Sequence, residues 1–378
     1  MLWFFNMRKI YLDNNATTAL DPRVADAMKE VLTPLPFNPS SIHTFGQESK
    51  KLLTNSRDTI AHALHVKPQE LVFTSGATEA LNFLIRGFFT PGAHIVSSNV
   101  EHPAVRETLQ ALEKQGAKVT YLPAGLWGAI QPHQLEEALT PETRLIVLTA
   151  ANNITGVKTD LLRISDIAHR RNIPLIIDGV QLLGKEQFHI PPGVSAMAFS
   201  AHKLHGPTGI GLAFVRSSYK LPPLIVGGSQ EGGRRAGTEN LPGIVGFAKA
   251  IEILAYELPA ATERMQKLRD KLTDSLLFNL GNIVVHGQGT RICNTVHMGF
   301  PGVDGETLLL QLDLAGVAAS HGSACTSGGL EPSPILLNMG IPASVARTSL
   351  RFSLSRTTTE EEIDQTIEII SNLVKKQR

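Results

Sequence analysis

The stretch FSAHKLHGPTG, residues 199–209, overlaps the end of the apolar run VSAMAFS and decides how the chain is read. A short apolar run bounded by turn residues is the pattern of a strand covered on both faces. Beyond it come Ser200, His202, Lys203 and His205, and the stretch closes on Gly206-Pro207-Thr208-Gly209. A random lysine is exposed. One lifted off the end of a buried strand is partly desolvated, which lowers its pKa and leaves a nucleophilic amine suited to Schiff-base chemistry.

Working outward, residues 70–220 alternate apolar strand-like runs with amphipathic helical runs. The strand candidates are ELVFT, AHIVSS, KVTYL, RLIVLTA, PLIID, AMAFS and GIGLAFV, and the helical ones include HPAVRETLQALEKQG and LLRISDIAHRRN. Continuous apolar strands alternating with helices predict an α/β fold with a mostly parallel seven-stranded sheet flanked by helices. The helical pattern LPGIVGFAKAIEILAYELPAATERMQKLRDKL holds Pro259, where a bend or break is expected. After it the pattern turns to mixed strands and helices. The reading is a large domain over 15–260, and a smaller α+β domain formed by 1–14 and 261–378. The last helix starts at Thr359, with acids in its first turn and lysines in its last.

Several strand candidates end in polar residues. LVFT runs into Ser75-Gly76-Ala77-Thr78-Glu79, HIVSSNV into Glu101-His102, RLIVLTA into Asn152-Asn153, PLIID ends on Asp178 with Gln181 just beyond, and AMAFS leads to His202-Lys203. In open α/β sheets ligands bind outside the carboxyl ends of the strands. Ser75-Gly76-Ala77-Thr78 opens a helix, so its N–H groups and dipole favour an anion. Alone it reads as an N-cap, and it matches neither P-loop nor G-x-G-x-x-G spacing, so a small phosphate-bearing ligand fits better than a nucleotide. A carboxylate such as Asp178 in a dry cleft needs a cationic partner or loses its charge. An anion cradle, a carboxylate, a lysine and a ring-facing histidine together suit pyridoxal phosphate.

Composition narrows the class. The chain has 378 residues, 42% hydrophobic and 18% charged, with a formal net charge of +1. That supports a sizeable core and gives no reason to expect nucleic acid or an anionic membrane as partner. Two distant cysteines, Cys293 and Cys325, make no disulfide framework, and a reduced, cytoplasmic protein is expected. No His/Cys spacing resembles a zinc site, and no apolar run approaches a bilayer span. The opening MLWFFN is too short for a signal core, and Met7 offers a second start.

At this point the chain resembles the cysteine desulfurases of the NifS/IscS type, class V aminotransferase-like enzymes of pyridoxal-phosphate fold type I. The resemblance rests on YLDNNATT (11–18), FTSGATEALN (73–82), EHPAV (101–105), NNITG (152–156), DGVQ (178–181), SAHKLHGPTGIG (200–211), GGSQEGGRRAGTEN (227–240), SHGSACTSG (320–328) and RTSLRFSLSR (347–356). It implies that Lys203 bears the cofactor and that Asp178 pairs with the pyridine nitrogen. Gln181 and Asn153 would lie near the ring hydroxyl and substrate, and His102 would stack on the ring and move protons. Ala77, Thr78, Ser200 and His202 would hold the phosphate, and Thr238 would reach the phosphate of a second subunit, making a homodimer. Arg351 would clamp the substrate carboxylate, a task that suits guanidinium. Cys325, in the Gly/Ser-rich loop HGSACTSGGLEP, would take sulfur from L-cysteine as a persulfide and pass it to an acceptor, leaving L-alanine. That loop is of the first-group kind.

An iron–sulfur scaffold protein or a tRNA-thiolation protein is the implied acceptor. Three departures from the family pattern stand out: Ile154 in place of an acidic residue, Gly179 in place of alanine, and Ser355 in place of glycine. Cys293 reads as a core residue. His43, His94, His169, His189, His205, His286, His297 and His321 read as surface or satisfied core residues. Other readings are a lyase acting on selenocysteine or cysteine sulfinate, and a non-catalytic platform for sulfur assembly.

Overall fold

The computed structural model describes residues 9–33, 38–322 and 331–378. The first strand, β1 (Ile10–Tyr11), belongs to a small sheet considered below. The large sheet follows from β2 (Leu71–Thr74), β3 (His94–Ser98), β4 (Lys118–Leu122), β5 (Thr143–Thr149), β6 (Leu175–Asp178), β7 (Ala196–Ser200) and β8 (Gly211–Val215). Its order is β2-β8-β7-β6-β5-β3-β4. Neighbours pair in parallel except at β8, which runs antiparallel to both β2 and β7. The seven strand candidates thus form one mostly parallel sheet. The crossovers are helical, among them Ala77–Phe88, Pro103–Glu113 and Leu161–Arg170.

Helices cover both faces, which is why the strands are apolar on both sides. On one face Val72, Ile95, Leu145, Val147 and Ile176 pack with Leu81 and Leu84 of Ala77–Phe88 and with Leu109 of Pro103–Glu113. On the other, Phe73, Val96, Ile146, Ile177 and Phe199 pack under Ile164, Phe247 and Ile251.

The helix over Leu241–Leu280 is continuous through Pro259 rather than broken there. Proline lacks the N–H that would bond the carbonyl four residues earlier, here Ala255. Ala255 and Pro259 both lie on the exposed face, where water can satisfy that carbonyl. The N-terminal half of this helix buries Leu241, Ile244 and Phe247 in the first core, and the C-terminal half buries Leu268, Leu272 and Leu276 in a second.

The second core lies under β9 (Val284–Val285), β10 (Thr295–Gly299) and β12 (Ser349–Ser353), an antiparallel sheet of order β12-β10-β9. Beside it β1 pairs in parallel with β11 (Val317–Ala318). Ile10 and Leu12 bury there with Val296, Phe300, Leu350 and Phe352. The last helix, Glu360–Gln377, closes this core; Thr359 caps it, its hydroxyl accepting from Glu362 N while the Glu362 carboxylate accepts from Thr359 N.

Among the core histidines, His94 lies between Thr143 and Thr120, and His205 bonds the Ala19 carbonyl. His297 departs from the expectation of a satisfied core residue. It is fully buried, and neither ring nitrogen has a partner among the described residues. Burial therefore holds it neutral, well below the usual imidazole range. No described helix is long and apolar enough to cross a membrane. No described group of His, Cys, Asp and Glu is placed to hold a metal ion.

Candidate active site

The carboxyl ends of the strands converge on one cavity of about 460 Å³. Ala77, Thr78, His102, Asn153, Asp178, Gln181, Ser200, His202 and Lys203 all line it. The sheet brings these residues together because parallel strands end on the same edge, so each connecting loop delivers its polar residues there.

The anion cradle depends on close packing. Gly76 caps the helix Ala77–Phe88, whose first-turn N–H groups have no carbonyl partner within the helix. The turn sits against β8 at Gly211, where a Cβ would come 2.4 Å from the Gly76 carbonyl carbon and 2.9 Å from Ala77 N. Only glycine admits that approach. Glu79 ties the turn down, accepting from Ser75 N and from Arg235 Nε, each at 2.9 Å.

Asp178 ends β6 and is buried, with Val180 N donating to Oδ1 at 3.0 Å. Burial pushes its carboxyl up, and nearby His102 and Lys203 only partly offset this. A protonated ring nitrogen would supply the missing positive charge. His102 caps the helix Pro103–Glu113, its Nδ1 accepting from Ala104 N at 3.0 Å. That bond leaves the neutral ring's proton on Nε2, and burial lowers the imidazole's pKa. His202 bonds Thr17 Oγ1 through Nδ1 at 3.1 Å, and burial holds it down at about 4. Ser200 ends β7 and is buried.

Lys203 follows β7 in a single 3₁₀ turn. Its Nζ donates to the carbonyls of Asn15, at 2.5 Å, and Ala16, at 2.7 Å. Asn15 and Ala16 of the segment YLDNNATT thereby face the lysine. Asn15 also donates to the Asn153 carbonyl at 3.1 Å and to Thr295 Oγ1 at 2.9 Å. The residues present fit pyridoxal phosphate: a cradle for an anion, a buried carboxyl short of a cation, and an amine at the rim of one cavity.

Two expected site residues lie outside the cavity wall. Arg351, on β12, is 1% exposed and is not part of the cavity wall. It reaches the wall through Asn153, whose carbonyl accepts from Nη1 at 2.9 Å, while Nη2 pairs with Asp13. Thr238 is exposed and lines a separate depression that shares Ser75 and Gly209 with the cavity. Cys325 falls outside the described residues, and so does most of its loop.

The family departures have local causes. Gly179 faces Met197 and Phe199, whose side chains would lie 2.4 and 2.7 Å from an added Cβ. Ile154 is fully buried in a small core with Val100, Ile335, Leu336, Met339 and Ile341. Ser355 closes a turn, its hydroxyl bonded to that of Thr357 at 2.9 Å. Cys293 is buried beside the Lys185 carbonyl, and burial pushes its thiol up to about 12, so it is inert at neutral pH.

Sequence reasoning assigned no role to Asp13, Asn15 or Lys185. The quoted YLDNNATT pointed at the first two only as a motif. Lys185 stands four residues beyond Gln181, but in a turn rather than a helix, so its spacing gives no signal.

The profile of the Aminotransferase class-V family matches residues 10–366. A cysteine desulfurase from Trichormus azollae is 42% identical over 377 residues, 98% of this chain and 94% of that protein. The cysteine desulfurase IscS of Dictyoglomus turgidum is 41% identical over 381 residues, covering 98% and 96%. A solved NifS-like protein superposes with a TM-score of 0.90 at 34% identity, over 97% of this chain and 100% of that one.

Proposed function

The chain belongs to the aminotransferase class-V family and is a pyridoxal-phosphate-dependent cysteine desulfurase; from that premise we propose which of its residues do the work. The observation that carries the assignment is the shared cavity of Lys203, Asp178 and the 76–78 turn. When bound, pyridoxal phosphate supplies an electron-withdrawing ring that eases charge build-up on the carbon skeleton of cysteine.

The chain's residues have distinct tasks. Lys203 Nζ, steered by the Asn15 and Ala16 carbonyls, anchors the cofactor's aldehyde carbon. Asp178 keeps the ring nitrogen protonated. Ala77, Thr78, Ser200 and His202 hold the phosphate, with Thr238 of a second subunit completing that grip in a homodimer. His102 covers the ring and offers the Nε2 proton. Arg351 and Asn153 orient the substrate carboxylate. Cys325, as a thiolate, attacks the substrate sulfur: an S–S bond forms, the C–S bond breaks, and the carbon keeps the electron pair and takes a proton. Alanine and a Cys325 persulfide result. The persulfide then serves iron–sulfur cluster assembly or tRNA thiolation through an acceptor protein. The chain divides into a cofactor-binding domain over 15–260 and a smaller one formed by 1–14 and 261–378, the latter carrying the thiol loop.

The test is incubation of the loaded protein with cysteine and no reductant, followed by mass analysis of the Cys325 peptide. One added sulfur there, with alanine released in equal amount, is the expected result. Full desulfurase activity in Cys325→Ala would reject the thiol's role. Borohydride should fix the cofactor on Lys203 and leave Lys203→Ala unlabelled.

A further inference from the structure

Lys185 is a second lysine at this site, and no role above uses it. It lies at the end of the turn that follows β6 and is 3% exposed. Its Nζ donates to Gln181 Oε1. The charged or titratable groups facing it are Lys203, Arg351, Cys293, His202 and His205. Glu186, next in sequence, is turned away onto Lys158 and Cys293 N. No ion pair among the described residues offsets the charge on Lys185, and burial, with the charges of Lys203 and Arg351, pulls its amine down to about 7, Cys293 only partly opposing this.

A side-chain amide has one accepting end and one donating end, and a lysine nitrogen, charged or neutral, carries N–H groups to donate to the accepting end. Lys185 therefore takes the oxygen of Gln181 and turns the nitrogen the other way. One N–H of that nitrogen meets the Asn15 carbonyl at 3.1 Å, the same carbonyl that Lys203 Nζ approaches at 2.5 Å. The other N–H is left for the cavity that Gln181 lines. Were the amide reversed, its oxygen would face the Asn15 carbonyl, two acceptors in contact.

We propose that Lys185 is a positioning residue: it locks the Gln181 amide so that an N–H is presented to the ring oxygen of the bound cofactor, drawing charge from that oxygen. The proposal rests on the reading under Proposed function, which places Gln181 beside that oxygen. A donor there weakens the oxygen's hold on the proton shared with the Lys203 nitrogen, and so lowers the pH at which the visible band of the loaded protein titrates.

The test is a pH titration of that band in wild type, Lys185→Met and Lys185→Arg. The methionine variant fills the space without donating, and its midpoint should rise by about half a unit or more. The arginine variant, always a donor, should return the midpoint towards wild type. A residue that merely fills the core would change the thermal midpoint and leave the titration in place. An unmoved titration in Lys185→Met therefore overturns the proposal. If Lys185→Met does not fold, Gln181→Leu provides the same readout, because removing the amide must raise the midpoint as well. A wild-type protein that develops no visible band with pyridoxal phosphate would sink the functional reading itself, and this proposal with it. A wild-type band with unmoved variants sinks only this proposal.

Discussion

Asp13 Oδ1 lies 2.5 Å from Nη2 of Arg351, so a carboxylate of the chain itself occupies one arm of the guanidinium assigned to the substrate carboxylate. The pair joins the segment after β1 to β12. Arg351 is among the most deeply buried large side chains, and its Nε has no partner among the described residues.

Asp13→Asn removes the counter-charge and leaves the guanidinium buried beside a neutral amide. Breaking one half of a buried pair costs about 3–5 kcal/mol. The thermal midpoint should fall by several degrees. Cysteine should restore part of the loss, because its carboxylate supplies the missing charge. An unchanged midpoint by calorimetry would show that Asp13 does not balance Arg351.

Asp178→Asn keeps the shape of β6's end and deletes the negative charge. If the carboxylate pairs with a protonated ring nitrogen, its loss forfeits a charge-assisted contact in a dry site, about 3 kcal/mol, or ~100-fold in affinity. Fluorescence titration with pyridoxal phosphate should show that weakening. Equal affinity for both proteins would leave Asp178 without its assigned partner.

Glu101 precedes His102 and is fully enclosed. Ser98 donates to its Oε1 at 2.6 Å, while Oε2 has no partner among the described residues. Burial, with Asp178 nearby, raises its carboxyl to about 8. A raised carboxyl binds a proton in the folded chain that the unfolded chain has already released. Its effect is most favourable below the unfolded pKa of about 4.3, and stability is lost as pH climbs from there towards 8. Glu101→Gln keeps the shape and removes the titration. Its stability advantage over wild type should be small at about pH 5 and should grow to a few kcal/mol near pH 8, by urea unfolding at each pH. A difference that does not vary with pH would mean that Glu101 ionises normally.

Ile154→Glu restores the acidic character common in the family at a position that here is sealed under Ile335, Leu336, Met339 and Ile341. An unpaired carboxylate there costs several kcal/mol, whereas Ile154→Val costs about 1 kcal/mol. Residues 335–341 follow the segment that bears Cys325. Sulfur transfer should therefore slow in Ile154→Glu while cofactor uptake holds, measured as alanine formed per bound cofactor. Wild-type turnover in Ile154→Glu would detach this small core from the chemistry.

Much of this was legible because of how the sheet is built. All the strands from β2 to β8 except the edge strand β4 are largely buried, so most survive in the sequence as apolar runs, and the polar residue after a parallel strand marks the rim. The reversed direction of β8 left no such trace, since an apolar run reads alike in both senses. The strands β1, β9 and β11 have two residues each, too few for any period to register. Asp13 and Arg351 are 338 positions apart, and their pairing exists only once the second core has formed. Lys185 stands four residues from Gln181, yet the intervening chain is turn rather than helix, so spacing alone gave its contact no support. Pro259 does not break its helix because the Ala255 carbonyl that it leaves without an N–H partner lies on the exposed face, a fact of tertiary orientation.

The forty-residue helix Leu241–Leu280 is a member of both hydrophobic interiors at once. Neither interior can melt without stripping apolar side chains from a rod that the other still grips, so heat should take the molecule apart in a single step. A calorimetric trace with one symmetrical peak is what this shared spar demands; two resolved peaks would mean that it parts somewhere between its halves.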